Sequence, residues 1–406
     1  MLAIVAPGQG AQTPGFLAPW LELDSFAARL GWLSAVSGLD LAQYGTTSDA
    51  ETIRDTAVAQ PLLVAAGLVT ALELFAKPSE AYGRIGVVAG HSVGEITAAA
   101  AVGVMSAESA MVLVRERGKA MAEASAVRPT SMSAVIGGDR EAVLAAIDSC
   151  ELTPANNNGS GQIVAAGTVE QLDQLKDALP PRTRLIPLSV AGAFHTVHME
   201  PAVDHLRRLS AAVYTRDPRV RLLSNRDGQV VPSGREYLNR LVDQVASPVR
   251  WDLCMQTMAD LGVTGLLELQ PAGTLTGIAK RNLKGVELFN LNTPGQLDEA
   301  RTFIANHSDG ETPADLTTTP TWRLVVSPGK GSFVRAEGLD EGHRLERGQI
   351  IGSVSNLRGS VTVPAEHGGQ VVEWLVEQGD PVSPGQPLLR LHPISERGSR
   401  TALDAN

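Results

Sequence analysis

The chain has 406 residues, enough for two or three domains that each bury a core, and its 43% hydrophobic and 19% charged content is that of a globular protein. With 34 Lys and Arg against 44 Asp and Glu its net charge is −10, which argues against a general nucleic-acid binder, because phosphate binding rests on cations. No run approaches the roughly 18 apolar residues of a membrane span, the N-terminus carries no basic leader, and Cys150 and Cys254 lie far apart without metal-type spacing; the expectation is a cytoplasmic protein with reduced thiols, no metal and no membrane partner.

The first apolar run, Leu2-Ala3-Ile4-Val5-Ala6, predicts a strand. Behind it, Pro7-Gly8-Gln9-Gly10-Ala11-Gln12 reads either as a tight turn into a helix or as a loop whose glycines bring the backbone close to a ligand, with Gln9 as donor. It lacks the Gly-Lys-Ser ending of a Walker phosphate loop. A second run, Ile85-Gly86-Val87-Val88-Ala89, leads into Gly90-His91-Ser92-Val93-Gly94 and then a helical stretch from Ile96 to Val102. Strand, Gly-X-Ser-X-Gly and helix form a nucleophile elbow, in which the glycines remove side chains that would clash at a sharp turn. Ser92 is the candidate nucleophile, and the backbone N–H of Val93 is a candidate donor to the oxyanion of an acyl-transfer intermediate.

If Ala107 to Met121 is one helix, Arg117 shares the apolar face of Ala110, Leu113, Val114 and Met121, while Arg115, Glu116 and Lys119 take the other side. Burying a guanidinium costs on the order of several kcal/mol unless an anion pairs with it. A structural ion pair, a side chain reaching back to water, and a clamp on a substrate carboxylate all satisfy that requirement.

Strands and helices alternate to about residue 130, which predicts a parallel sheet covered by helices. Between about 131 and 188 the order becomes strand (Ser133 to Ile136), helix (Arg140 to Ile147), strand (Leu152 to Ala155), strand (Gln162 to Ala166), helix (Val169 to Leu179), strand (Leu185 to Leu188). That is the ferredoxin-like order, inserted in the larger domain. Directly after it, His195 in Ala191-Gly192-Ala193-Phe194-His195 sits where a cleft between subdomains would open and is the candidate base for Ser92, with His91 and His198 as competitors. Sheet texture returns at Val220–Ser224 and Gly265–Leu269, making residues 1–306 one catalytic unit. A polar linker follows over 307–321. In the remainder, Glu341 to Gln349 resembles Gln378 to Gln386, predicting a small all-β sandwich with pseudo-twofold symmetry over 322–394 and a tail over 395–406.

Gly8-Gln9-Gly10-Ala11-Gln12, Gly90-His91-Ser92-Val93-Gly94-Glu95, Arg117-Gly118-Lys119, Ala155-Asn156-Asn157-Asn158 and Phe194-His195, in that order, closely resemble the malonyl-CoA:acyl carrier protein transacylase family over residues 1–306. The resemblance implies an α/β-hydrolase-like large subdomain with the active site between it and the inserted one. It implies a ping-pong reaction in which malonyl passes from malonyl-CoA to Ser92 and then to the phosphopantetheine thiol of acyl carrier protein, for fatty-acid or polyketide synthesis. His195 would be base and acid, Arg117 the clamp on the malonyl carboxylate, and Gln9 with the Val93 amide the oxyanion hole. The histidine would be oriented by a backbone carbonyl from Ser247-Pro248-Val249-Arg250-Trp251 rather than by an aspartate, and Gln60, Asn156, Asn158 and His91 would line or brace the site. Ala193-Phe194-His195 matches the malonyl-type segment, Phe194 filling the space an α-methyl group needs.

Two departures stand out. The family's Gly-Pro-Gly appears as Gln270-Pro271-Ala272-Gly273, leaving that turn in question. The C-terminal part resembles the biotinyl/lipoyl carrier fold, whose modified lysine lies in Ala-Met-Lys-Met; here Asn356-Leu357-Arg358-Gly359 stands in its place, and a protonated guanidinium is no nucleophile for biotin or lipoyl attachment. The expectation is a carrier-like domain without cofactor, docking the enzyme to other fatty-acid or carboxylase enzymes. A serine (thio)esterase uses the same elbow but has no need of Arg117. For an acidic carrier protein, Arg207-Arg208 and Lys280-Arg281 with Lys284 are candidate docking cations, although each pair taken singly reads more readily as a solvated helix face.

Overall fold

A computed structural model describes residues 1–75, 78–190, 192–308, 323–356 and 359–392. The chain divides into two compact units, Met1–Thr317 and Thr318–Asn406. In the first, the strands Glu287–Asn290, Gly265–Glu268, Leu2–Ala6, Val87–Gly90 and Arg221–Leu222 lie in that order in one all-parallel sheet. Leu2–Ala6 is buried at every residue, as a strand with helices on both faces must be. The two sides of the sheet look into separate apolar clusters, one holding Ile4, Leu62, Val88 and Leu267, the other Val5, Val87, Leu266 and Met258.

Helix Thr56–Leu74 is long and apolar enough to cross a bilayer, contrary to the expectation from the sequence that no such run exists. Its most apolar window is 72% buried inside the protein, so it serves as a core helix, packed on Ala107–Ser125. The two helices touch closely because Gly118 leaves room: a β carbon there would come within 2.8 Å of the Thr56 carbonyl oxygen.

The inserted subdomain has the expected order, with strands Thr130–Gly137, Thr153–Asn157, Gln162–Thr168 and Thr183–Pro187 and helices Arg140–Ser149 and Val169–Ala178. These strands are antiparallel, and a fifth, Val249–Arg250, joins from the large subdomain, running parallel to Asn156–Asn157. Short as it is, it ties the inserted sheet to the segment that follows Gln244. At Gln270-Pro271-Ala272-Gly273 the turn is closed by the buried Glu268 carboxylate, which accepts from the backbone N–H groups of Gly273, Leu275 and Thr276.

Helix Leu297–His307 runs one residue into the expected linker: His307 is buried, with its ring against Thr264 Oγ1 (3.0 Å) and Glu287 (3.1 Å). The rest of the linker described by sequence, residues 309–321, and the tail, 395–406, lie outside the described residues.

The second unit is a sandwich of two four-stranded sheets around Phe333, Ile351, Val354, Val371, Leu388 and Leu391. Its internal repeat extends to individual bonds. The Glu346 N–H donates to Gln349 Oε1 and the Ser383 N–H to Gln386 Oε1, each at 3.0 Å. Strands Ile350–Asn356 and Gly359–Pro364 form the hairpin that precedes and follows Leu357 and Arg358, which themselves lie outside the described residues.

Candidate active site

The elbow is built by contact as much as by torsion. Ser92 sits at φ 53°, in the left-handed region that a side chain rarely adopts. A β carbon on Gly90 would lie 2.0 Å from the backbone carbon of Gly94, and one on Gly94 would lie 2.3 Å from the Ala6 carbonyl oxygen, so no residue but glycine fits either position. Gly8 brings the first loop against the elbow in the same way, its absent β carbon 2.8 Å from the His91 carbonyl oxygen. The backbone N–H groups of Gln9 and Val93 donate to no other protein group among the described residues. The Gln9 amide turns away, donating to the Arg54 carbonyl (3.2 Å) and Thr56 Oγ1 (3.3 Å), so its main-chain N–H is what it offers a ligand.

His195 Nε2 lies 2.8 Å from Ser92 Oγ. Its Nδ1 lies 2.9 Å from the Gln244 carbonyl oxygen, which can only accept; that contact fixes the proton on Nδ1 and leaves Nε2 as acceptor for the serine. Burial, and then the charge of Arg117, push the imidazole down to about 3, so it is neutral at physiological pH. The carbonyl was expected within Ser247–Trp251; it belongs to Gln244, three residues earlier, with the Ser247 backbone contributing less.

Arg117 is 3% exposed and makes no ion pair within 4.0 Å among the described residues. Its guanidinium donates to Gln60 Oε1 (2.6 Å) and Gln244 Oε1 (3.0 Å), and Nη2 stands 3.4 Å from Ser92 Oγ. Gln60 is held in turn by Met121 Sδ at 3.4 Å. The sequence placed Arg117 on a buried face; the structure adds that the face looks at the nucleophile. A nucleophile, a neutral base, free N–H donors and a cation without a direct ion pair among the described residues are thus brought to one point.

Residues 4–306 match the family described as acyl transferase domain, and residues 324–391 the one described as biotin-requiring enzyme. The malonyl CoA-acyl carrier protein transacylase of Mycobacterium tuberculosis is 49% identical over 299 residues, 74% of this chain and 99% of its own length; that of Escherichia coli is 32% identical over 311 residues, 73% and 98%. The chain belongs to the malonyl-CoA:acyl carrier protein transacylase family. Among solved structures, MCAT from Mycobacterium tuberculosis superposes with a TM-score of 0.72 at 48% identity, covering 74% of this chain and 99% of that one. A malonyl-transacylase in complex with its type II polyketide synthase acyl carrier protein superposes at 0.70 with 30% identity, covering 74% and 99%.

The other expected site residues of the transacylase unit separate into two groups. Asn158 Oδ1 meets His91 Nε2 at 3.0 Å, and His91 packs edge-on against Trp251, so this pair braces the elbow; burial lowers the His91 pKa below its ordinary value. Asn156 is a strand residue paired with Val164 and Val249, and no hydrogen bond joins it to Ser92, His195 or Arg117. Its buried Oδ1 has no hydrogen-bond partner among the described residues. Phe194 is buried in the core beside Gly192 and precedes His195, which itself takes φ 63°. His198 is partly buried and does not approach Ser92 by any hydrogen bond.

Sequence reasoning missed the layer behind the nucleophile. Asn225 accepts from the Ser92 N–H (2.8 Å) and donates to the Gly90 carbonyl (2.8 Å), holding both ends of the elbow. Glu95 accepts from the Asn225 N–H (2.7 Å), the Tyr237 hydroxyl (3.1 Å) and the Gln244 amide, which also contacts the Ser92 carbonyl (3.4 Å). Burial pushes Glu95 up to about 8. One signal was available: Glu95 is a lone charge heading an alanine-rich helix, Gly94–Ala101, that is buried along most of its length. Nothing in the local sequence distinguishes Asn225, Tyr237 or Gln244.

Proposed function

We propose that this chain transfers malonyl from malonyl-CoA to the phosphopantetheine thiol of acyl carrier protein through a Ser92 ester, supplying fatty-acid or polyketide synthesis in the cytoplasm. The observation that carries the reading is the buried Arg117 guanidinium, 3.4 Å from the nucleophile and without a direct ion pair among the described residues. A thioester hydrolase has no use for such a cation; a malonyl carboxylate supplies its missing partner.

In the first half-reaction His195 Nε2 takes the Ser92 proton as Oγ attacks the thioester carbonyl. The oxyanion meets the N–H groups of Gln9 and Val93, and collapse expels the coenzyme A thiolate, which recovers the proton from His195. In the second, His195 takes the proton of the carrier thiol, whose sulfur attacks the ester, and returns it to Ser92. Arg117 lowers the basicity of His195 in the empty site; a carboxylate on Arg117 cancels that charge and strengthens the base as substrate arrives.

For the second unit we retain the reading of a carrier-like domain without cofactor. Biotin or lipoyl attachment needs an amine, and position 358 is arginine; the only lysine in residues 323–392 is Lys330, between strands Arg323–Val326 and Gly331–Arg335. The fold therefore serves as a docking module for other fatty-acid or carboxylase enzymes, and capture by the isolated transacylase unit equal to that by the full chain would count against it. Of the candidate cations for acyl carrier protein, Arg207 is already paired with Asp204 and Asp243, which favours the Lys280, Arg281 and Lys284 group.

The test is intact mass after brief mixing with malonyl-CoA, acetyl-CoA and methylmalonyl-CoA in turn. A malonyl adduct that is absent in Ser92→Ala supports the reading. Free coenzyme A without adduct would instead identify a hydrolase, and a biotin or lipoyl increment on the purified chain would overturn the cofactor assignment.

A further inference from the structure

We propose that ionisation of Glu95 and occupation of Arg117 by a malonyl carboxylate exclude one another, so that Glu95 is the proton-linked countercharge of the substrate site. This rests on the reading of Arg117 as the malonyl clamp. The geometry points to it through one amide. Gln244 Oε1 accepts from Arg117 Nη2 at 3.0 Å, while Gln244 Nε2 donates to Glu95 Oε2, so a single side chain joins the buried cation to a buried carboxyl. Neither Glu95 nor Arg117 makes a direct ion pair among the described residues, and both are almost wholly buried, at 2% and 3% exposure. In the empty site an ionised Glu95 and Arg117 balance each other. A second carboxylate on the same guanidinium leaves one negative charge in excess in a dry interior, and adding a proton to Glu95 removes it.

The proton has a place to go. The Tyr237 hydroxyl lies 3.1 Å from Glu95 Oε1 and 3.1 Å from the Leu223 carbonyl oxygen, and it carries one proton for these two acceptors. With Glu95 ionised, that proton serves the carboxylate and the Leu223 carbonyl goes without. With Glu95 protonated, the acid donates to the Tyr237 oxygen and the tyrosine donates to Leu223, so every member is satisfied. The arrangement accommodates both forms without moving a heavy atom.

The titratable groups facing Glu95 are Arg117 from helix Ala107–Ser125, Tyr237 from helix Gly234–Asp243 and Cys254 from helix Trp251–Asp260. Burial lowers Arg117 to about 10, so it is still largely charged near pH 9, and Glu95→Gln separates its contribution from that of Glu95. Burial holds Tyr237 and Cys254 well above their ordinary values, so both stay neutral, and His195 on the far side of Arg117 is neutral throughout. Glu95 is pushed up to about 8 by the same burial. Proton-linked binding of malonyl is therefore confined to alkaline conditions.

Isothermal titration of the Ser92→Ala protein with malonyl-CoA, in buffers of different ionisation enthalpy, reads the proton directly; without the nucleophile no thiol is released to confuse the count. The expected result is uptake of about one proton per site near pH 9 and almost none near pH 7, with affinity falling by up to about tenfold per pH unit above about pH 8. Acetyl-CoA, which brings no carboxylate, is expected to bind without uptake. Glu95→Gln in the same background removes both the uptake and the pH dependence. Malonyl-selective binding with no proton taken up near pH 9, or uptake that survives Glu95→Gln, overturns the role of Glu95 while leaving the clamp intact. Equal affinity for malonyl-CoA and acetyl-CoA instead overturns the clamp. If Glu95→Gln fails to fold, the comparison of the two thioesters on Ser92→Ala decides alone.

Discussion

Replacing Arg117 by methionine isolates the charge, because methionine keeps much of the side chain's length and apolar contact while removing the guanidinium. Two consequences follow from its surroundings. For malonyl-CoA, the substrate carboxylate enters a buried site and finds no partner, a loss of about 3–5 kcal/mol when one member of a buried pair is removed. At about 1.4 kcal/mol per tenfold, that is a fall in kcat/KM of roughly two to three and a half orders of magnitude. For acetyl-CoA, nothing is lost at the clamp, and the base is relieved of the neighbouring positive charge that helps to depress it. Fold stability is expected to move by less than about 2 kcal/mol, since the two amide acceptors left by Arg117, on Gln60 and Gln244, are offset by relief of a buried cation with no ion pair. The assay is ester formation on Ser92, followed by intact mass at short times, with both thioesters and with urea denaturation of the same preparation. A parallel fall for malonyl and acetyl, or a stability loss larger than the activity loss, would falsify the argument, since Arg117 would then be holding the fold rather than the substrate.

Asn225→Ala strips partners from the Ser92 N–H and the Gly90 carbonyl; at about 1–3 kcal/mol for each buried group left unpaired, a stability loss of about 2–6 kcal/mol is expected by chemical denaturation, together with slower acylation. A loss below about 1 kcal/mol would show that the elbow holds itself. With His195 depressed to about 3, the base is already unprotonated at mildly acid pH, so acylation by acetyl-CoA is expected to stay flat from about pH 5 to pH 8. In Arg117→Met, with one depressing charge gone, the acid limb moves to higher pH; a wild-type profile falling through about pH 6.5 contradicts the assignment. Because the two units have separate cores, a chain ending at Thr317 is expected to keep malonyl transfer within about twofold of the full length, and a larger loss would place part of the catalytic function in the second unit.

The readable parts of this molecule are those where one residue type is forced by local geometry. The elbow announced itself because only glycine tolerates the contacts at Gly90 and Gly94, and the β repeat because each half closes the same turn with the same glutamine, Gln349 or Gln386. Arg117 was legible as a buried charge through helical spacing, although its partners were not. Gln244 escaped because its contributions come from two different groups: a backbone carbonyl, which leaves no mark in sequence, and an amide whose partners are 127 and 149 positions away. The strand Val249–Arg250 is two residues long, below what an alternating pattern can reveal. Asn156 shows the opposite failure, where a polar residue inside a recognisable motif spends its backbone on the sheet and brings no hydrogen bond to the nucleophile.

That short strand links the inserted sheet to the chemistry. Gln244 holds the imidazole, and five residues later the same backbone becomes an edge of the inserted sheet. The segment that fixes the proton of His195 and the edge of the inserted sheet are thus one stretch of backbone, so the base and the inserted subdomain share an anchor. Hydrogen exchange at the Val249 and Arg250 amides therefore reports on the anchoring of the inserted sheet next to the base.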